Sequence, residues 1–300
     1  MANLSANTLF HFTPREFLLD KFENGFVPRY NTEFDPELDP GYFNSSYNLR
    51  EVNLSTNEQK DLSHELYHAT YIAMVCFCDI PLSSLAHHMG VYSGYGVGLR
   101  KEWGIESGLN PVMYINGKSN FFKTFSGLLN IMGFNSVLLK EFFLDKDKLE
   151  KIKTEGLHMF VGPVQTHLLH WNSIHENIVK QLKPYVCGGK YRGRFENYSY
   201  YDEKEWRYVP WMAPNDPVRP VIMKNLTKLE IDELNKSIKT HSLKFKPKDV
   251  KYIIIENDDD VDFLAEGLLK IKDKTGIYSE EDINLLLTKI VTKKQISEDF

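Results

Sequence analysis

Glu203 and Glu205, in the run Tyr201-Asp202-Glu203-Lys204-Glu205-Trp206-Arg207-Tyr208, are the residues of this sequence best suited to chemistry. Side chains two apart on a strand share a face, so this spacing aims both acids into one cleft. Two acids that close can serve as one acceptor and one proton donor. Near the start, His11 and Thr13 in Leu9-Phe10-His11-Phe12-Thr13 have the same spacing on another strand and could face the acids. Breaking an N-glycosidic bond builds positive charge on the sugar. A carboxylate facing that charge lowers the barrier, as carboxylates do in glycoside hydrolysis. The competing reading is a solvated strand edge, with Glu203 or Glu205 paired to Lys204 or Arg207.

Two further constellations stand out. In Tyr92-Ser93-Gly94-Tyr95-Gly96-Val97-Gly98 the glycines allow close backbone approach, and the tyrosines offer faces for stacking on a flat ligand. The glycine spacing is not the dinucleotide fingerprint, and a tight turn into a strand explains it equally well. His64-Glu65-Leu66-Tyr67-His68 matches H-E-x-x-H. On a helix both imidazoles would share a face and could hold zinc, with Glu65 as base. The positions where the extended motif has glycine and a third histidine hold Tyr71 and Met74, and His87, His88 or Glu102 would have to complete the site. We therefore expect no metal centre. Zinc-dependent hydrolysis is the least favoured function.

The elements that must position these residues can be read in part. Thr8–Phe12 is a strand. Pro14 opens a helix with Thr13 as N-cap and Glu16 completing a capping box; Phe17, Leu18 and Phe22 form its apolar face, and Gly25 ends it. Residues 31–60 form a long polar excursion. Tyr71–Ile80 is apolar on both faces at its start and so a central strand. A short helix covers Ser83–His88. Strands follow after Tyr92 and over Pro111–Ile115, and long helical stretches cover about 121–152 and 159–181. The acid-rich tract at 201–210 and Val250–Glu256 are strands, 260–271 and 279–291 are amphipathic helices, and the tail from Lys293 is frayed. Strands at both ends with helices between them give an α+β class, with residues 1–300 as one domain carrying a helical insertion at about 120–185.

Composition narrows the class. The chain has 300 residues, 42% hydrophobic, with 36 basic and 41 acidic residues and a net charge of -5, which argues against a general nucleic-acid binder. Cys76, Cys78 and Cys187 form no even framework, and the first two are too close for an ordinary disulfide, so reduced thiols in a cytoplasmic protein are expected. No apolar run reaches the ~20 residues of a membrane span, and the start lacks a signal core.

The order of several segments resembles the AbiGi family of abortive phage-resistance proteins. The resemblance rests on Leu9–Thr13, Gly25–Tyr30, Met74-Val75-Cys76-Phe77-Cys78-Asp79-Ile80-Pro81-Leu82-Ser83, Tyr95–Leu99, Lys101–Gly104, Asn110–Val112, Leu182–Tyr185 and Tyr201–Pro210. It implies a role in phage defence. That family carries the label antitoxin, which implies a cognate toxin, antitoxin or phage protein as partner. More distantly, the order of a His-x-Thr strand, a Tyr-Gly-rich strand and a Glu-x-Glu strand is similar to ADP-ribosyltransferases. That likeness implies an ADP-ribosyltransferase-like mixed sheet, NAD as cofactor, and transfer of ADP-ribose to a protein or nucleic acid, or NAD glycohydrolysis. His11 would hold the ribose with help from Thr13. Tyr95 or Tyr92 would stack on nicotinamide, and Arg29 would meet the diphosphate. Glu205 would be the catalytic acid and Glu203 would activate the acceptor. The alternative is a non-catalytic antitoxin or binding partner.

Overall fold

Bulky aromatic and β-branched residues make Thr8-Leu9-Phe10-His11-Phe12 a strand, and β1 (Thr8–Phe12) has the bounds expected. The computed structural model describes residues 6–34, 50–52, 59–61, 70–121, 150, 162–163, 166–167, 170, 173–174, 177–186, 190–191, 195–196, 198–212, 218–223 and 226–299. After β1 comes α1 (Arg15–Asn24), whose N-cap is Pro14, with no side-chain cap bond. The expected Thr13–Glu16 capping box is therefore absent, because the proline takes the N-cap place itself. Leu18 and Phe22 are buried, but Phe17, expected on the same face, is 44% exposed. Gly25 ends the helix at φ 74°, and a Cβ there would lie 2.6 Å from the Leu243 carbonyl oxygen.

β2 (Arg29–Phe34) precedes the long, almost wholly buried β3 (Thr70–Cys78). A turn at Leu82–Ser84 leads into α2 (Leu85–Val91), then β4 (Gly96–Arg100), α3 (Lys101–Glu106) and β5 (Asn110–Pro111). The strand expected over Pro111–Ile115 is split. The Val112 amide donates to the Glu205 carbonyl, whereas Met113–Ile115 pairs with Leu182–Pro184. A 3-10 turn at Tyr200–Glu203 precedes β6 (Glu205–Tyr208), followed by β7 (Val221–Met223) and α4 (Lys228–Ser237). Last come β8 (Val250–Ile255), α5 (Asp260–Thr275), α6 (Glu280–Leu287), β9 (Ile290–Thr292) and α7 (Lys293–Asp299). β9 corrects the helix expected to reach 291: three consecutive β-branched residues, Ile290-Val291-Thr292, favour a strand. α7 replaces the expected fraying. Thr292 and Gln295 cap its start reciprocally.

Two compact units result: Met1–Thr32 with Tyr71–Val112 and Ser199–Phe300, and Glu33–Thr70 with Met113–Tyr198. Among the described residues the first holds a large mixed sheet in the order β9-β8-β4-β1-β3-β6-β5, with β2 and β7 also pairing with β3. β8 and β9 are parallel, while β1 with β4 and β3 with β6 are antiparallel. Helices cover both faces. On the first face Leu9, Phe77, Val97, Leu99 and Ile253 pack with Leu18 and Phe22 of α1, Leu264 and Leu268 of α5, and Leu286 of α6. On the second, Phe10, Cys78 and Ile254 pack with Leu85 and Met89 of α2 and Ile296 of α7. The protein is thus α+β with a mixed sheet.

In the second unit Arg50–Val52 pairs with Gln59–Asp61, Met113–Ile115 with Leu182–Pro184, and Lys190–Tyr191 with Phe195–Glu196. The described positions between 162 and 179 are helical. Most of the insertion expected at about 120–185, the His64–His68 motif and Cys187 lie outside the described residues.

Candidate functional site

Register decides which side chains meet. Opposed residues of an antiparallel pair point to one face. His11 is opposite Val97, a residue of the first face. Glu205 is opposite Cys78, and Arg207 is opposite Cys76, which places both on the second face. The strands carrying His11 and Glu205 are separated only by β3, yet the sheet lies between the two side chains. The expected convergence of imidazole and acids on one cleft is not what forms.

On the second face Glu205 and Arg207 are both enclosed. Arg207 Nε donates to Glu205 Oε1 at 2.6 Å, and the two side chains are 0% and 3% exposed, respectively. The sequence suggested a solvated pairing as the competing reading; the pairing is present but buried. Glu203 is not on the strand. It ends the 3-10 turn, and Lys204 at φ 45° separates it from β6. This left-handed residue breaks the i, i+2 alternation on which a shared aim for the two acids depended. Glu203 is itself buried and accepts a hydrogen bond from the Tyr92 hydroxyl. The Tyr92 ring stacks on Phe12 and His88, at centroid distances of 6.2 and 5.9 Å.

On the first face His11 sits among Phe26 and Phe77, 4.9 and 5.5 Å away between ring centroids. Its Nδ1–H donates to the Cys76 carbonyl at 2.9 Å. Burial lowers its pKa to about 4; the bond to Cys76 opposes that shift and the charge of Lys21 adds to it. The Tyr95 hydroxyl donates to Asp260 Oδ2 at 2.8 Å, and Arg15 Nε donates to Asp260 Oδ1 at 2.7 Å. Burial and Asp260 together push the Tyr95 phenol up to about 12. Burial alone would raise the Asp260 carboxyl, but the bonds from Tyr95 and Arg15 hold it below its ordinary value. The Arg15 guanidinium lies 3.9 Å over the Phe263 ring. Thr13 is buried, and its amide donates to the Tyr95 carbonyl at 3.0 Å. Arg29 is an exposed residue at the start of β2.

The glycine-rich run serves strand packing. A Cβ at Gly98 would come within 2.7 Å of the Phe10 ring, and one at Gly96 within 2.8 Å of the His11 carbonyl oxygen. Cys76 is half-buried and Cys78 buried, and neither is joined in a disulfide. Among the described residues no cluster of three or more His, Cys, Asp or Glu could hold a metal ion, and no helix is long and apolar enough to cross a membrane. Sequence reasoning missed Asp260 and Arg15, which stand far apart in the chain with no shared motif. It also missed the ion pair of Asp79 with Lys101, whose ammonium lies 5.1 Å from the centre of the Trp206 ring. Both of its partners lie within the segments that carried the family resemblance.

A family model described as "Putative abortive phage resistance protein AbiGi, antitoxin" matches residues 48–256. The chain belongs to the AbiGi family. A curated relative, the abortive phage resistance protein AbiGi of Lactococcus lactis subsp. cremoris, is 26% identical over 249 residues, covering 77% of this chain and 89% of the relative. No solved structure matches. The AbiGi match contains the Glu203–Arg207 tract and Tyr92, while β1 with His11 and the elements from α5 onward lie outside it.

Proposed function

We propose that this AbiGi protein acts in abortive phage resistance as an antitoxin, a non-catalytic partner that binds a cognate toxin. The observation that carries the reading is the enclosed Glu205–Arg207 pair. A carboxylate that already neutralises a fully buried guanidinium at 2.6 Å is committed to the fold. The antitoxin description of the family supports the same reading. Two of the residues expected to receive NAD already have partners within the fold. His11 is held by the Cys76 carbonyl on the other face from Glu205, and the Tyr95 hydroxyl is taken by Asp260.

Glycosyl transfer on an ADP-ribosyltransferase-like sheet is the second reading, favoured by one observation: β1, β3 and β6 are consecutive in a single sheet. It requires both acids to leave their present partners. Incubation with labelled NAD and cell lysate separates the two. The antitoxin reading expects no label transfer or NAD loss, and a stoichiometric complex on co-expression with the cognate toxin. NAD consumption that disappears in Glu205→Gln would overturn it.

A further inference from the structure

Ile296 is the only residue of α7 buried among its described side chains, and it is nearly closed off, at 2% exposed. It rests against the second-face cluster of Phe10, Ile80, Leu85, Met89 and Ile254, and α7 packs on α2 and on the Leu82–Ser84 turn. Lys294, Gln295, Ser297 and Glu298 are exposed. Two polar attachments complete the hold. One is the reciprocal cap between Thr292 and Gln295. The other is Lys293 on Glu256 at 3.1 Å, with side chains 36% and 42% exposed. A helix as short as α7 does not persist alone in water, so it is helical only while docked. Exposed ion pairs add little to such docking. The floor beneath it is different: Leu85 and Ile254 are fully buried, and they belong to α2 and to β8, the strand next to the β9 edge of the sheet. A buried apolar floor is thus covered by a segment whose described side chains reach it at one apolar point, the combination expected of an element that opens locally.

We propose that α7 is a releasable cover and that the groove beneath it docks an amphipathic helix of the partner protein. The chemistry of that helix follows from what now fills the groove. It needs an aliphatic residue in the place of Ile296 and, three positions earlier, a cation to meet Glu256, with polar residues on its outer side. The proposal rests on the antitoxin reading for the existence of a partner, but its test needs none, so the two fail separately.

Hydrogen–deuterium exchange on the full chain reads the cover directly. Amides of α7 are expected to exchange about a thousandfold faster than those of α5 around Leu264 and Leu268. Equal protection of the two helices overturns the proposal. The groove is read with a fluorescein-labelled synthetic peptide of residues 289–300. Weakening the chain's own cover with Ile296→Ser is expected to tighten peptide binding by about tenfold or more relative to the wild-type chain, because less of the groove is occupied. The same peptide carrying serine at its own position 296 is expected not to bind. Should Ile296→Ser fail to fold, Lys293→Glu loosens the same cover by placing like charge on Glu256. Binding that ignores both the cover variants and the peptide's own isoleucine overturns the groove as a docking site.

Discussion

On the first face of the sheet, Tyr95, Asp260 and Arg15 form a chain of hydrogen bonds that runs outward, ending at an arginine whose side chain is 46% exposed. On the second, Glu205 and Arg207 face each other with 3% and 0% exposure. The same two charge types are used, but the first network reaches a half-exposed arginine, whereas both side chains of the second pair are enclosed. Loss of Arg15 leaves Asp260 with its bond from Tyr95 and a nearby surface. Loss of Arg207 leaves a carboxylate enclosed among protein groups. Charges placed at an edge can be spared; charges placed inside become part of the fold, which is why the acids that first suggested catalysis read better as structure.

The sharpest way to break this contrast is Arg207→Met. Removing the buried guanidinium beside Glu205 should cost about 3–5 kcal/mol, read as a lowered urea midpoint, while Glu205→Leu/Arg207→Met should regain most of it. Arg15→Ala, at a side chain 46% exposed, should lower the midpoint far less. Similar losses for the two arginines would erase the distinction between the faces.

Acid should expose the first face next. The His11 pKa is lowered from 6.5 in the unfolded chain to about 4 in the fold, so between those values the unfolded chain binds a proton that the folded one does not. The stability tied to a neutral His11 is therefore complete above pH 6.5 and lost as pH falls toward 4, by at most about 3 kcal/mol. His11→Phe should flatten the slope of unfolding free energy in that window; an unchanged slope would show that the ring is not enclosed.

Smaller effects refine the comparison. Tyr95→Phe removes one donor from Asp260 and should cost about 1 kcal/mol in the same unfolding measurement. Lys204→Gly should stabilise by up to about 1 kcal/mol, since φ 45° suits glycine better than lysine, offset in part by loss of the Lys204 ammonium over the Tyr201 ring. A loss of several kcal/mol there would mean that the lysine side chain, not the backbone conformation, holds the turn between Glu203 and β6.

Local signals in the sequence carried the strands well. β1 and the central β3 announce themselves through runs of aromatic and β-branched residues, and β8 through Val250-Lys251-Tyr252-Ile253-Ile254-Ile255. The helix stop at Gly25 was legible because few other residues tolerate φ 74°. The site was less legible, for two physical reasons. One left-handed residue, Lys204, ends the 3-10 turn and keeps Glu203 off the strand, and lysine gives no warning of that conformation. Strand register, set by long-range pairing, decides the face on which His11 and Glu205 emerge, and that cannot be read from either segment alone. Asp260 and Arg15 meet across 245 positions of sequence, a contact that only the packing of α5 beside α1 creates.

The role of Glu205 is the central claim, and the Glu205→Leu/Arg207→Met chain tests it most directly, because it removes the acid and the stranded charge together. The measurement is phage plating efficiency in cells carrying the complete defence system, with folding of the variant verified by its unfolding curve. If the pair is structural, protection matches that of the wild-type chain. A stably folded variant that no longer protects would contradict the account and return Glu205 to chemistry.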